Sequence, residues 1–235
     1  MTYRRALLGN TLPNVEIVLV RHAEPAWVVD GRQQDNPHLT RRGDEQAQLT
    51  ANRLRLESFD EVHVSPLHRA QETAKPIDRE KQTSPWLEEI RDPDWHGTPA
   101  EIVHKAFVDR RTMAAEDQWD GLDGGEDVRD FMARVHDGMA VFLAERGIVR
   151  LPGDLPLWKI ERPLRRFLLV AHAAVNATVV NHLLGISSTP WEWERFVFNH
   201  SSITRLEAVP VSGVHTFCLT RLSEVEHLPT DLRTR

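Results

Sequence analysis

Apolar residues fall along this chain in two rhythms. VEIVLV at 15–20 and RFLLVA at 166–171 are short unbroken runs without alternation, the pattern of strands buried on both faces, and EVHV at 61–64 reads as a third short strand. Between and after them the spacing changes to three and four. In HLTRRGDEQAQLTANRLRL, Thr40 is a cap and Ala47, Ala51 and Leu54 share one helical face. SPLHRAQETA follows the 61–64 strand, with Ser65 as cap and Pro66 as first helical residue. The strongest amphipathic segment begins after DGLDGGED: Val128, Phe131, Val135, Met139 and Phe142 form a core-facing stripe that Met132 and Leu143 widen. VNATVVNHLL predicts a helix behind the 166–171 strand, and SITRLEAV and VHTFCLT, separated by PVSG, predict a terminal strand pair.

Two stretches break the alternation. DPDWHGTP at 92–99 is turn-rich and leads into a polar helix over 99–119, so residues of about 91–127 are expected to form a cap. Residues of about 147–165 carry four prolines or glycines after Gly147 and read as an excursion between elements. Strands alternating with helices predict a single α/β domain over 1–235, a three-layer α/β/α sandwich on a mostly parallel mixed sheet, with ligands beyond the carboxyl ends of the strands. Arg21 with His22, and His172, stand at two such ends.

Composition narrows the function. A net charge of −6 argues against nucleic-acid binding through overall positive charge and makes any anion site local. One cysteine, Cys218, excludes an internal disulfide and a CxxC motif, and a reducing, cytoplasmic location is the simplest reading. The basic N-terminus is interrupted by Asn10, Pro13, Asn14 and Glu16 where a signal peptide would be apolar, and no segment is long enough to span a membrane. The histidines show no short His-x-His or His-x-x-x-His pair with a carboxylate at fixed spacing, so neither a metal nor a cofactor is expected.

The chemistry concentrates at strand ends. Arg21 offers a permanently charged planar fork suited to phosphate, and Arg69 a second one. Fixed cations disfavour protonation of a neighbouring histidine and leave a neutral, nucleophilic imidazole, whereas a bound phosphate dianion pulls the other way.

Five blocks in order resemble the histidine phosphatase superfamily, the phosphoglycerate mutase-like family. LVRHAEPAW resembles its Arg-His signature after the opening strand. HLTRRGDEQA is similar to Leu-Thr-x-x-Gly-x-x-Gln-Ala, and VSPLHRAQETA to Ser-x-Leu-x-Arg-Ala-x-x-Thr. LEEIRDPDWHG is similar to Leu-x-Glu followed by Trp-x-Gly, and LLVAHAAVN to the strand-end His-Gly segment. GGED before a helix and NHSSITRLE are weaker matches. The resemblance implies a metal-independent phosphatase acting on small phosphomonoesters through a phosphohistidine. His22 is then the nucleophile, Glu89 rather than Glu88 the proton donor, and Arg21, Arg69 and His172 the phosphate ligands. Burial or Glu88 would raise the Glu89 pKa, and the arginines would lower it.

Pro25 and Val28 depart from the family pattern, standing where many members carry substrate-touching donors. Ala173 replaces a usual glycine, which would be strained if φ were positive. Trp86, Trp191 and Trp193 read as packing residues, whereas Trp27 and Trp95 are candidates for pocket walls. Arg110 and Arg111 are the best candidates for a second anionic group, and His63, His68, His104 and His136 have no assignable partner. Two rivals remain: a cofactor-dependent phosphoglycerate mutase, and a non-catalytic relative that binds a phosphorylated ligand. Substrate identity and oligomeric state are not legible.

Overall fold

The structure, a computed structural model, describes residues 15–162 and 164–235. Arg4 with Arg5, and Asn10, Pro13 and Asn14 of the interrupted N-terminal stretch, lie outside them. Strand β1 (Val15–Arg21) is unbroken in its apolar run because it is central: β8 (Arg165–Ala171) pairs with it in parallel on one side and β9 (Ile203–Val211) antiparallel on the other. The pleat then sorts its side chains. Val15, Ile17 and Leu19 join one core with helices α4 (Val128–Ala144) and α5 (Ala173–Leu184). Val18 and Val20 join another with α1 (Arg41–Leu54) and α2 (His68–Ala74). Two cores on the two faces of one sheet make the three-layer α/β/α sandwich that the alternation predicts.

The eight-stranded sheet runs β5-β4-β8-β1-β9-β10-β7-β6. Its parallel half consists of β5 (Gln82–Thr83), β4 (Glu61–Val64), β8 and β1, and β10 (Val214–Glu224), β7 (Trp158–Ile160) and β6 (Ile148–Arg150) complete an antiparallel half beyond β9. A two-strand hairpin, β2 (Val28–Val29) with β3 (Arg32–Gln33), stands apart. β9 and β10 run longer than predicted, because the turn is only Ser212-Gly213, both at positive φ, which suits the right-handed strand twist. The 147–165 excursion contains β6 and β7 and extends the sheet, with Trp158 fully buried as its anchor.

Thr40 caps α1 by accepting from Gly43 N at 3.0 Å. Gly43 is required there: a Cβ would stand 2.2 Å from the Glu24 carbonyl oxygen, so only glycine lets the helix approach the loop after β1. The predicted stripe of α4 is buried in full, under an Asp127 cap. Two expectations need correction. The 99–119 helix is α3 (Ala100–Arg111) followed by a separate 3-10 turn at Asp117–Asp120; α3 buries only Val103, too little apolar surface to extend the helix. α2 starts at His68 behind Leu67, not at Pro66; the Ser65 hydroxyl meets His172 at 2.7 Å and accepts from Leu67 N at 3.4 Å, ahead of the helix, and no side chain caps it.

Candidate active site

Sheet register sets the site. Arg21 is paired with Ala171, so the next residue of each strand, His22 and His172, emerges at the same carboxyl edge, with ring centroids 5.1 Å apart. β4 ends on the same edge and delivers Ser65 and, one helical turn on, Arg69. The turn after β1 is held by His22 N to Ala171 O at 2.9 Å, and Ala23 N to Thr73 Oγ1 at 2.8 Å. Thr73 in turn donates to Arg69 O at 2.6 Å, tying the two strand-end segments together.

The His22 ring is 3 % exposed, and its Nδ1 lies 2.8 Å from the Ala23 carbonyl oxygen. A carbonyl only accepts, so Nδ1 carries the proton and Nε2 carries the lone pair. Burial first, then the Arg69 guanidinium, His172 and Arg21, holds the His22 pKa well below the usual histidine value. His172 is fully buried and lowered likewise by burial and the two arginines; its Nε2 meets Ser65 Oγ and its Nδ1 has no partner. The pocket therefore sets neutral imidazoles between cations.

Both arginines are under-satisfied. Arg21 Nη1 donates to Phe198 O at 2.5 Å while Nε has no partner, and burial pulls its pKa down to about 10. Arg69 is 3 % exposed, with Nε and Nη1 unpartnered and its guanidinium 4.7 Å from the Trp27 ring centroid; burial lowers it also to about 10. Buried guanidinium N–H groups without acceptors are costly to a fold and are suited to an incoming oxyanion.

Glu89 reaches the same pocket from the segment after the Pro85–Leu87 turn. Its Oε2 accepts from Ala174 N, in the first turn of α5, and its Oε1 from Ile90 N, both at 3.1 Å. Burial raises its pKa above the ordinary carboxylate value even though these N–H groups and the two arginines pull it down. Glu88 is not the cause: it is tied to Arg91 at 3.0 Å. Asp92 also lines the pocket; its side chain is exposed to the cavity, whose walls withdraw it from bulk water, and this together with the Glu89 charge pushes its pKa up to about 6.

All five residues picked from the sequence thus converge. The sequence reading missed two others. His200 packs against His22 at 5.5 Å between ring centroids, and burial drives its pKa down to about 3. Its signal lay in the NHSS segment, whose turn sends Ser201 N to the carbonyls of Arg21 and His22. Asp92 gave no signal, being one of several acids in a turn.

Arg21, His22, Arg69, Glu89 and Asp92 line a cavity of about 860 Å³, together with the 33–36 loop and much of the 91–127 segment; His172 and His200 lie behind this lining. Trp27 and Trp95 line it as expected; Trp191 and Trp193 line it too, which corrects their reading as packing alone. Pro25 is buried against Leu39, Val28 is exposed in the hairpin, and Ala173 opens α5 without a positive φ, so the strain considered for it does not arise. Arg111 is paired with Glu194 at 2.9 Å, and Arg110 donates to the carbonyl oxygens of Gln118 and Pro190. His63 is held by Ser84 and Glu61, His136 by His182 and Ser188, and His68 stacks on His38, while His104 lines the cavity. Among the described residues, no group of three or more His, Cys, Asp or Glu side chains is placed to hold a metal, and no helix is long and apolar enough to cross a membrane.

Comparison with known proteins gives the family and the fold. The family model of the histidine phosphatase superfamily (branch 1) matches residues 17–213. A 2-carboxy-D-arabinitol-1-phosphatase of Triticum aestivum is 28 % identical over 227 residues, 91 % of this chain but 41 % of that protein, so the chain spans about two fifths of that relative's length. A probable phosphoglycerate mutase GpmB of Enterobacter sp. is 29 % identical over 82 % of this chain and 85 % of its own. The crystal structure of a phosphoserine phosphatase mutant from Entamoeba histolytica in complex with phosphoserine superposes with a TM-score of 0.64 at 22 % identity, over 92 % of this chain and 100 % of that one, a likeness of fold.

Proposed function

Because the chain belongs to the histidine phosphatase superfamily, we propose that it is a phosphoric monoester hydrolase that cleaves small-molecule phosphomonoesters through a phosphohistidine on His22. The observation that carries this reading is the His22 tautomer: Nδ1–H is spent on the Ala23 carbonyl, which leaves the Nε2 lone pair beside two under-satisfied guanidinium groups and a partly buried carboxyl.

In this reading Arg21 and Arg69 hold the non-bridging phosphoryl oxygens. His172 joins them: the Ser65 hydroxyl, which accepts from Leu67 N at 3.4 Å, has its proton free for His172 Nε2, so Nδ1–H is left for phosphate. Nε2 of His22 attacks phosphorus in line with the leaving oxygen, which takes the Glu89 proton as the P–O bond breaks. Water then attacks the phosphohistidine, giving its proton to Glu89 and releasing phosphate and neutral His22. Rate enhancements for this class reach about 10²¹, and most must come from charge stabilisation set in place beforehand, the part these cations play. The arginines supply the neutralisation, so the proposal needs no metal.

A mutase must hold a second anionic group and shield its phosphoenzyme from water. Here Pro25 and Val28 offer no side-chain donor, and Arg111 is already ion-paired, which favours hydrolysis over the mutase reading. A pure binder would not need both a lone-pair-bearing imidazole and a proton-holding carboxyl. We take residues 91–127 as a cap on one domain, and the single cysteine as the mark of a reducing cytoplasm. Phosphate release from a panel of metabolite monoesters in excess chelator tests the proposal. The parent turns over at least one ester and His22→Ala none; equal activity of the variant overturns it.

A further inference from the structure

The cavity has room for far more than a phosphate: about 860 Å³ lies within the roughly 300–1,000 Å³ of pockets that enclose whole organic ligands. Its apolar wall is not accounted for by the packing of the fold. On α3, His104, Phe107, Val108 and Arg111 recur at three and four residues and all line the cavity, so one face of this helix is turned into it. α3 buries Val103 alone, and Phe107 and Val108 remain 40 % and 45 % exposed, apolar surface that the chain itself leaves uncovered. Trp95 meets Phe107 edge to face at 5.4 Å and continues this wall, with Trp191 also in the lining. Trp27 and Trp193 differ, since each already has a guanidinium over its ring, from Arg69 and Arg110.

Beyond the arginines given to the phosphoryl group, the charges along the lining compensate one another among the described residues. Glu88 is paired with Arg91, and Glu126 with Arg134. Arg111 and Arg235 share Glu194, and Arg110, bonded to carbonyl oxygens, keeps its charge, which leaves two positive charges over. Asp92 and the hydrogen-bonded Asp35–Asp94 pair, which shares a proton, supply two negative ones. With neither sign in excess, a charged group at the far end of a substrate would lose hydration without gaining a partner, whereas an apolar one would cover Phe107 and Val108. Arg69, buried with two N–H groups unsatisfied, is the independent sign that a ligand enters here, and it fixes the ligand's other end. Resting on the hydrolase reading above, we propose that the preferred substrate is a phosphomonoester of a bulky, uncharged, apolar alcohol, with Phe107, Val108 and Trp95 as the specificity-determining residues.

Straight-chain alkyl phosphates isolate that contact, because ethyl, butyl and hexyl phosphate differ in apolar length and hardly in leaving-group acidity. The expected kcat/KM rises about threefold per added methylene, and the hexyl-to-ethyl ratio holds as salt is raised, since no charge contact distinguishes the two. The monophosphates of 6-hydroxyhexanoic acid and of 6-aminohexan-1-ol both fall severalfold below hexyl phosphate. In Phe107→Ala and in Val108→Asn the hexyl-to-ethyl ratio drops by about threefold or more, a comparison of two substrates on one preparation that a loss of folded protein does not move. A flat or inactive alkyl series in an enzyme that hydrolyses a metabolite monoester, a charged end that matches the methyl end, a ratio unmoved in both variants, or phosphoserine outrunning hexyl phosphate overturns the inference and leaves the hydrolase reading intact. Failure to release phosphate from all of these esters and from the metabolite panel removes that reading and the inference with it.

Discussion

Arg69→Met is expected to move stability and activity in opposite directions. This guanidinium is 3 % exposed, faces no carboxylate within ion-pair distance among the described residues, and leaves Nε and Nη1 without acceptors. Burial takes its pKa from 12.5 to about 10, which corresponds to roughly 3 kcal/mol of charge that the fold does not compensate. Methionine fills a similar volume without charge and forfeits the contact with Trp27, worth about 0.5–1 kcal/mol. The net expectation is about 2 kcal/mol of added stability, or roughly 4–8 °C in Tm for a chain of this size. Activity goes the other way: loss of one preset donor to the phosphoryl oxygens costs about 10² to 10³ in kcat. Inorganic phosphate separates the two effects. At about a hundred times its Kd it stabilises the parent by about 2.7 kcal/mol, and it raises the variant's Tm far less. Thermal melts with and without phosphate, beside steady-state hydrolysis of phenyl phosphate, measure all of this. A variant that melts well below the parent while keeping more than a tenth of its kcat would refute the reasoning that Arg69 is an unsatisfied charge held for substrate.

Three further outcomes follow from other parts of the molecule. Glu89 must be protonated to serve the leaving group, so kcat/KM is expected to fall as pH rises through its elevated pKa; Glu89→Gln removes that limb and costs about 10² to 10⁴ with a poor leaving group, less with 4-nitrophenol. In α4, a Cβ at Gly138 would stand 2.5 Å from the Trp86 side chain, so Gly138→Ala is expected to lose about 1–3 kcal/mol in urea melts with kcat per folded molecule unchanged. On the opposite face, burial acts to raise the Glu57 pKa, but hydrogen bonds from Arg205 and Arg166 overcome it and leave it lowered. Its stabilisation is therefore present above the unfolded value of about 4.3 and lost as pH falls through the folded value, and Glu57→Gln should flatten the decline of the urea midpoint between pH 6 and 3.

The parallel half of the sheet was legible because strands buried on both faces leave unbroken runs, as 15–20 and 166–171 do, and a strand end is where charged residues interrupt them. The site was legible for the same reason: Arg21, His22 and His172 are the polar residues at those interruptions, Arg69 is a second guanidinium fork in the helical segment after the 61–64 strand, and the block resemblance supplied Glu89. What escaped depends on contacts across the fold. β6 and β7 are three residues each, too short for periodicity, and exist because the edge of β10 needs a partner. His200 lies 178 positions from His22 and comes beside it only through the antiparallel return of β9. Trp191 and Trp193 alternate with glutamates in PWEWERF, a spacing that does not distinguish packing against a core from walling a cavity.

The most direct measurement is to identify the covalent species itself. Rapid mixing of enzyme with a labelled phosphomonoester, quenched in alkali and digested, should yield one phosphorylated peptide containing Arg21-His22. The phosphoryl group should be on Nε2, acid-labile and base-stable, forming no more slowly than turnover. Label on Nδ1, on a hydroxyl or on any other residue, or steady hydrolysis with no label retained at the shortest times, would contradict an imidazole nucleophile at this position.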